Sequence, residues 1–231
     1  MIFEVPKKPY DEEKFYNKTQ LEIKPNTITC LLGCNGSGKT TLTRIIVENL
    51  EKYEHAKNIK LGYLDLSGLL GKKESNVHYC VFDKHSNTCK DEGDYYIQCA
   101  ISNTISTGED IVNRFGNILS KIGKTIHDIS WQKDKDKPTL FLFFDDCDAG
   151  SSIDNIMEIK DIFKIIASDC EKWGITYYIL FTANSYELCR EFDNLSVHDF
   201  KPVKITTYES FKRFVLKSRK IKDKRFKKEL N

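Results

Sequence analysis

Apolar positions along this chain follow two patterns. Short continuous runs occur at TITCLL (27–32), TLFLFF (139–144) and ITYYILFTA (175–183). Runs of this length, rich in β-branched and aromatic residues, predict strands buried on both faces. Elsewhere the apolar residues are spaced by three and four. Leu42, Ile45, Ile46 and Leu50 are spaced this way within 40–53, and 108–123 and 152–170 repeat the pattern. These segments predict amphipathic helices. Thr206 and Glu209 have the spacing of a capping box that opens a last helix. MIFEV (1–5) and TQLEIK (19–24) predict strands around a charged turn, and NIKLGYLDL (58–66) predicts another strand. Residues 67–104 are polar and read as an irregular insertion. The alternation predicts an α/β fold: a mostly parallel central sheet flanked by helices, plus an N-terminal antiparallel β element.

Between the first buried run and the first helix lies Gly33-Cys34-Asn35-Gly36-Ser37-Gly38-Lys39-Thr40. It fits G-x-x-x-x-G-K-[ST], a phosphate-binding loop, in the strand–loop–helix setting that its chemistry needs. Gly36 and Gly38 permit backbone torsions that turn successive N–H groups onto phosphate. Lys39 brings an ammonium to the β and γ oxygens. The Thr40 hydroxyl is a hard ligand suited to Mg²⁺. The helix that follows directs its positive dipole end at the anion. ATP with Mg²⁺ is the expected ligand.

TLFLFF runs directly into Asp145 and Asp146. A buried strand that ends in carboxylates places them at the sheet edge where such folds bind ligands. Asp145 is expected to hold the metal, and Asp146 to polarise an attacking water.

Composition narrows the class. Of 231 residues, 40% are hydrophobic, enough for a real core. No apolar run approaches a membrane span, and the N-terminus has no signal-peptide core, so a soluble cytoplasmic protein without membrane insertion is expected. The eight cysteines are scattered through predicted core elements and read as reduced thiols. His78, Cys80, His85 and Cys89 have zinc-ligand chemistry, but their spacing matches no C-x-x-C knuckle, so an insertion carrying free thiols is the reading. The net charge of +2 is uneven: residues 212–231 hold ten Lys or Arg against one Asp and one Glu, a net +8, which leaves −6 for the rest. This tail has two readings, a contact for nucleic acid or an acidic protein, and a solvated terminal helix.

The GCNGSGKTT segment, which includes Thr41, followed by LFLFFDDCDAG, resembles ATP-binding-cassette ATPases. The resemblance covers about 1–184. It implies a cassette ATPase domain over 1–205, with the basic helix or tail at 206–231. It also implies a head-to-tail dimer formed on ATP, with the nucleotide between one subunit's loop and another's signature. ISTGE (105–109) is the candidate signature, with Ser106, Gly108 and Glu109 matching and Ile105 and Thr107 departing. A Ser/Thr/Gly helix cap is the plainer reading of that segment. Tyr10 is the candidate for stacking on adenine, with an ordinary surface tyrosine as the alternative. Asp65 and Gln98 both compete for the family's glutamine-loop position. Two departures bear on turnover: Asp146 stands where the family has Glu, and Asn184 where it has a switch histidine. An amide can hydrogen-bond a phosphate but takes up no proton near neutral pH. DDCDAGSSIDNI, FTANSYELC and FKRFVLKSRKIKDKR also resemble small stand-alone cassette ATPases of tailed phages, which implies a host cytoplasm. The expected function is a slow ATPase acting on nucleic acid or a protein complex. The alternatives are an ATP-gated switch with negligible turnover and, third, a transporter's nucleotide-binding subunit.

Overall fold

The computed structural model describes residues 1–7, 16–51, 56–58, 77–82, 119, 122–131, 137–149 and 151–227. Strands β1 (Ile2–Glu4) and β2 (Gln20–Glu22) pair antiparallel, with Phe3 opposite Leu21. The central sheet has six strands: β3 (Thr27–Leu32), β4 (Ala56–Asn58), β5 (Val77–Phe82), β6 (Thr139–Phe144), β7 (Thr176–Thr182) and β8 (Asp193–Ser196). Their spatial order is β4-β5-β6-β7-β3-β8, and every neighbouring pair is parallel. Helix α1 spans Lys39–Glu51, α2 covers 122–130, α3 spans Ile153–Lys172, the single turn α4 Tyr186–Cys189, and α5 Tyr208–Lys227. The α/β fold with a separate antiparallel element is the one the hydrophobic pattern predicts.

The continuous apolar runs are explained by burial on both sheet faces. Leu31, Phe141, Phe143, Tyr178 and Leu180 face a layer formed by Leu42, Ile46 and Leu50 of α1 with Phe3 and Leu21. Their chain neighbours Cys30, Leu32, Leu142, Phe144, Ile179 and Phe181 face the other way, onto Ile159, Phe163 and Ile166 of α3, Ile126 of α2 and Phe211 of α5. Period-two alternation sends adjacent residues to opposite cores. Phe141 stacks on Tyr178 with ring centroids 4.3 Å apart, and Phe82 on Phe144 at 4.6 Å. Lys160 of α3 is wholly buried, and its Nζ lies 2.5 Å from Glu191 Oε1 just beyond α4. The hydrogen bond from Lys160 pulls the Glu191 carboxyl down to about 2. This pair ties α3 to the segment that follows β7.

The irregular reading of 67–104 is corrected at Val77–Phe82. This segment is strand β5, paired along its length with β6 and over Val77–Tyr79 with β4. Its apolar run is short, begins after a histidine and lies between polar stretches, so the local pattern is weak. Long-range pairing with TLFLFF supplies the order. Of the predicted strand 58–66, Asn58 ends β4 and 59–66 lie outside the described residues. Of the predicted helix 108–123, residues 108–118, 120 and 121 lie outside as well; the described helix α2 runs past the predicted end to 130, with Ile122, Ile126 and Ile129 as a buried stripe. β8 and α4 are only four residues each, too short to show a period.

His78 and Cys80 project from β5 and are buried. Burial pushes the Cys80 thiol up to about 12, so it is a protonated core side chain. His85 and Cys89 lie outside the described residues. Among the described residues no cluster of three His, Cys, Asp or Glu is placed to hold a metal, and no helix is long and apolar enough to cross a membrane.

Candidate nucleotide site

The loop leaves the C-terminal end of β3 and enters α1 at Lys39. Gly36 and Gly38 adopt φ of +73° and +98°, the left-handed region that the sequence reading assigns to them. Gly33 is required for packing. A Cβ there would stand 2.3 Å from Ser37 Oγ and 2.7 Å from a Val197 methyl. The buried Tyr16 hydroxyl donates to Gly38 O at 2.9 Å. Ser37 Oγ is fully buried and has no hydrogen-bond partner among the described residues. A loop tightly closed by glycines, with an orphaned buried hydroxyl in it, fits a phosphate. Thr40, exposed, and Thr41, half-buried, lie in the first turn of α1. Asn35 is exposed.

Lys39 is buried to 9% exposure. Its ammonium donates to Gly33 O at 3.0 Å and to Asn184 Oδ1 at 3.0 Å. Asn184 Nδ2 in turn donates to Asp146 Oδ1 at 2.8 Å. One amide therefore joins the loop lysine to the acid pair. The sheet order explains the meeting. β7 lies between β3 and β6, so the residues after β7 emerge between the phosphate loop and Asp145–Asp146.

Thr182, the last residue of β7, organises the acid pair. Its hydroxyl donates to Asp145 Oδ1 at 2.5 Å and accepts the Asp146 N–H at 2.7 Å. Asp146 sits at φ +53°, a conformation Asp tolerates better than most residues. The Asp148 carboxylate accepts the N–H groups of Asn184 (2.9 Å) and Ser185 (2.6 Å), which fixes the turn that presents the Asn184 amide. Thr182 and Asp148 were not singled out from the sequence. Asp148 stands two residues past the acid pair, which is a usable signal, whereas Thr182 ends an ordinary-looking strand.

A second unread partner is α5. The Cys34 N–H donates to Ser218 Oγ at 2.9 Å across 184 residues of chain. His198 Nε2 lies 2.7 Å from the same hydroxyl, and Arg225 Nη2 lies 3.1 Å from His198 Nδ1. Arginine only donates, so Nδ1 accepts and Nε2 carries the proton toward Ser218. Burial, then the neighbouring Arg225, lowers the His198 imidazole to about 4, against a smaller opposing effect from Asp199. Phe211, Val215, Ser218, Lys222 and Arg225 repeat at spacings of four and three, one helix face. This periodicity could have been found in the sequence beneath the charge. Over Phe211–Arg225, helix α5 is therefore docked along this face rather than uniformly solvated.

Tyr10, Ser106, Gly108 and Glu109 lie outside the described residues, as do Asp65 and Gln98. Residues 16–93, about a third of the chain, match the family model described as ABC transporter. A zinc import ATP-binding protein, ZnuC, from Ehrlichia ruminantium (strain Gardel) is 41% identical over 59 residues, 24% of this chain and 24% of the relative. The ZnuC proteins of Ehrlichia chaffeensis and Ehrlichia canis are 41% and 39% identical over the same length and shares. The chain thus matches about a quarter of the length of these curated relatives. Both comparisons support an ABC-type ATPase.

Proposed function

We propose that the chain binds Mg-ATP on the Gly33–Thr41 loop, dimerises head-to-tail around it and hydrolyses it slowly. The observation that carries this reading is the hydrogen-bonded path Lys39–Asn184–Asp146, which joins a phosphate loop to the acid pair. Lys39, Ser37 and the loop amides would hold the phosphates. Thr40 and Asp145 would hold Mg²⁺ through oxygen atoms, the donor type that this ion takes. The bound metal supplies charge neutralisation at the terminal phosphates. Asp146 then orients a water, and Asn184 fixes the carboxylate's rotamer while it contacts Lys39. By the family resemblance, Ser106, Gly108 and Glu109 of a second copy complete the site, and Tyr10 stacks on the base.

A second reading, an ATP-gated switch with negligible turnover, is favoured by one observation. Asn184, the group between Lys39 and Asp146, does not gain or lose a proton near neutral pH. Two classes of partner follow from different features. The basic segment supports nucleic acid or an acidic protein. The names of the curated relatives support a transporter subunit.

The test is ATP turnover measured beside ATP-dependent dimerisation, on wild type and Asp146→Asn. Turnover in wild type with a stable ATP dimer in the variant supports the enzyme. Dimerisation of wild type without turnover supports the switch. Absence of both turnover and dimerisation in wild type overturns the assignment of the signature to Ile105–Glu109.

A further inference from the structure

A cavity of about 360 Å³ lies between the phosphate loop and α5. Gly33, Cys34 and Asn35 form one wall, Ala183 and Asn184 another, and α5 contributes Phe211, Val215, Arg219 and Lys222. Its lining includes two cations and no carboxylate among the described residues. Asn184 touches both Lys39 and Asp146. Phosphate-loop lysines serve the β and γ oxygens. The cavity therefore opens on the terminal-phosphate end of the loop.

We infer that Arg219 and Lys222 of the C-terminal helix contact the terminal phosphate of ATP within the same chain, and so distinguish ATP from ADP. This rests on the ATP-binding reading above. Three observations carry it. First, α5 is held at a fixed distance from the loop, because the buried Ser218 accepts the Cys34 N–H. Arg219 is the next residue, and Lys222 lies one turn on along the same face. Second, Lys222 reaches the crown of the loop: its Cδ lies 3.4 Å from where a Cβ on Gly36 would stand. Third, the acid that now faces both cations holds them weakly. Asp223 lies 3.6 Å from Lys222 Nζ and 4.0 Å from Arg219 Nε, and its side chain is half exposed. A terminal phosphate with two negative charges and three acceptor oxygens outcompetes one solvated carboxylate at 4 Å.

The test compares Mg-ATP and Mg-ADP affinities by calorimetry for the full chain, Arg219→Ala, Lys222→Ala, the double variant and Lys222→Arg. Lys212→Ala, an exposed cation on the first turns of α5, controls for general charge. Each single substitution is expected to weaken Mg-ATP about tenfold, the worth of one charge-assisted hydrogen bond. Mg-ADP should stay within about twofold of wild type, Lys222→Arg should retain ATP preference, and Lys212→Ala should change neither ligand. Thermal melts check that the variants stay folded, the expected outcome for side chains at the cavity rim. Unchanged ATP affinity in the double variant, or equal loss for ATP and ADP, overturns the inference while leaving the phosphate loop in place. Failure of wild type to bind either nucleotide overturns the ATP-binding reading, and this inference with it.

Discussion

The backbone N–H of Cys34, second residue of the phosphate loop, donates to the side chain of Ser218 in the middle of the last helix at 2.9 Å. Both residues are buried. A loop whose amides are expected to meet phosphate thus has its entry amide satisfied by a helix 184 positions downstream. The loop's resting shape depends on the C-terminal segment.

Ser218→Ala should therefore destabilise the protein by about 1–3 kcal/mol, the cost of a buried donor left without a partner. Denaturant melts would measure this. Ser218→Thr, which keeps the hydroxyl, should recover part of it. Equal stability of the alanine variant and wild type would mean that the amide has another acceptor.

His198 gives the fold a pH dependence with a definite sign. Its folded value of about 4 lies below the ordinary histidine value of about 6.5. Between these values the unfolded chain binds a proton that the folded chain excludes. Stability is complete above about pH 6.5 and is lost as pH falls toward 4, with a slope of up to about 1.4 kcal/mol per pH unit. Protonation would also set an N–H against the Arg225 donor. Urea midpoints across pH 4–7 should show this slope in wild type, and His198→Asn should flatten it.

Asn184→Ala removes both arms of the amide that joins Lys39 to Asp146. Turnover at saturating Mg-ATP should fall about tenfold or more, consistent with loss of a hydrogen bond to a charged group. The exposed side chain makes little difference to folding, so the melting temperature should move by no more than a few degrees. Steady-state kinetics with a parallel melt separates the two effects. Turnover equal to wild type would show that the link has no part in the reaction.

Thr182→Val keeps the shape of a buried residue but deletes the hydroxyl that serves both acids. The Asp146 N–H loses its acceptor and Asp145 loses its donor. About 1–3 kcal/mol of stability should go, and half-maximal activity should require several-fold more Mg²⁺. A Mg²⁺ titration of ATP turnover tests this, with a denaturant melt beside it.

Gly33→Ala should abolish nucleotide binding in a chain that still folds. The added methyl meets Ser37 and Val197 well inside contact distance, and relieving it moves the loop. Overpacking of this kind costs about 1–3 kcal/mol. Retained ATP affinity would show that the loop yields without losing its geometry.

Much of the fold was legible because its signals are local. TITCLL, TLFLFF and ITYYILF are strands because continuous apolar runs must be buried on both faces, and β3, β6 and β7 lie at those positions. The loop is legible because Gly36, Gly38 and Lys39 have fixed spacing, and the backbone torsions at both glycines match it. VHYCVF was missed because a strand of six residues with a histidine in it lacks a local signature and depends on its neighbours for order. Asn184 was read as a phosphate contact, but its bonds to Lys39 and Asp146 could not be seen, because each crosses more than thirty residues.

The sequence by itself therefore determined the three buried strands β3, β6 and β7, helices α1 and α3, and the glycine torsions of the loop, since hydropathy period and glycine placement act within a few residues. Tertiary structure decided which side chains share the site. The parallel order β6-β7-β3 brings Thr182 and Asn184 between the lysine and the acids. The face Phe211–Val215–Ser218–Lys222 docks α5 against the loop because its apolar end enters the core while its hydroxyl meets an amide that needs an acceptor. A net charge of +8 over the last twenty residues says nothing of that contact, because charge counts carry no direction in space.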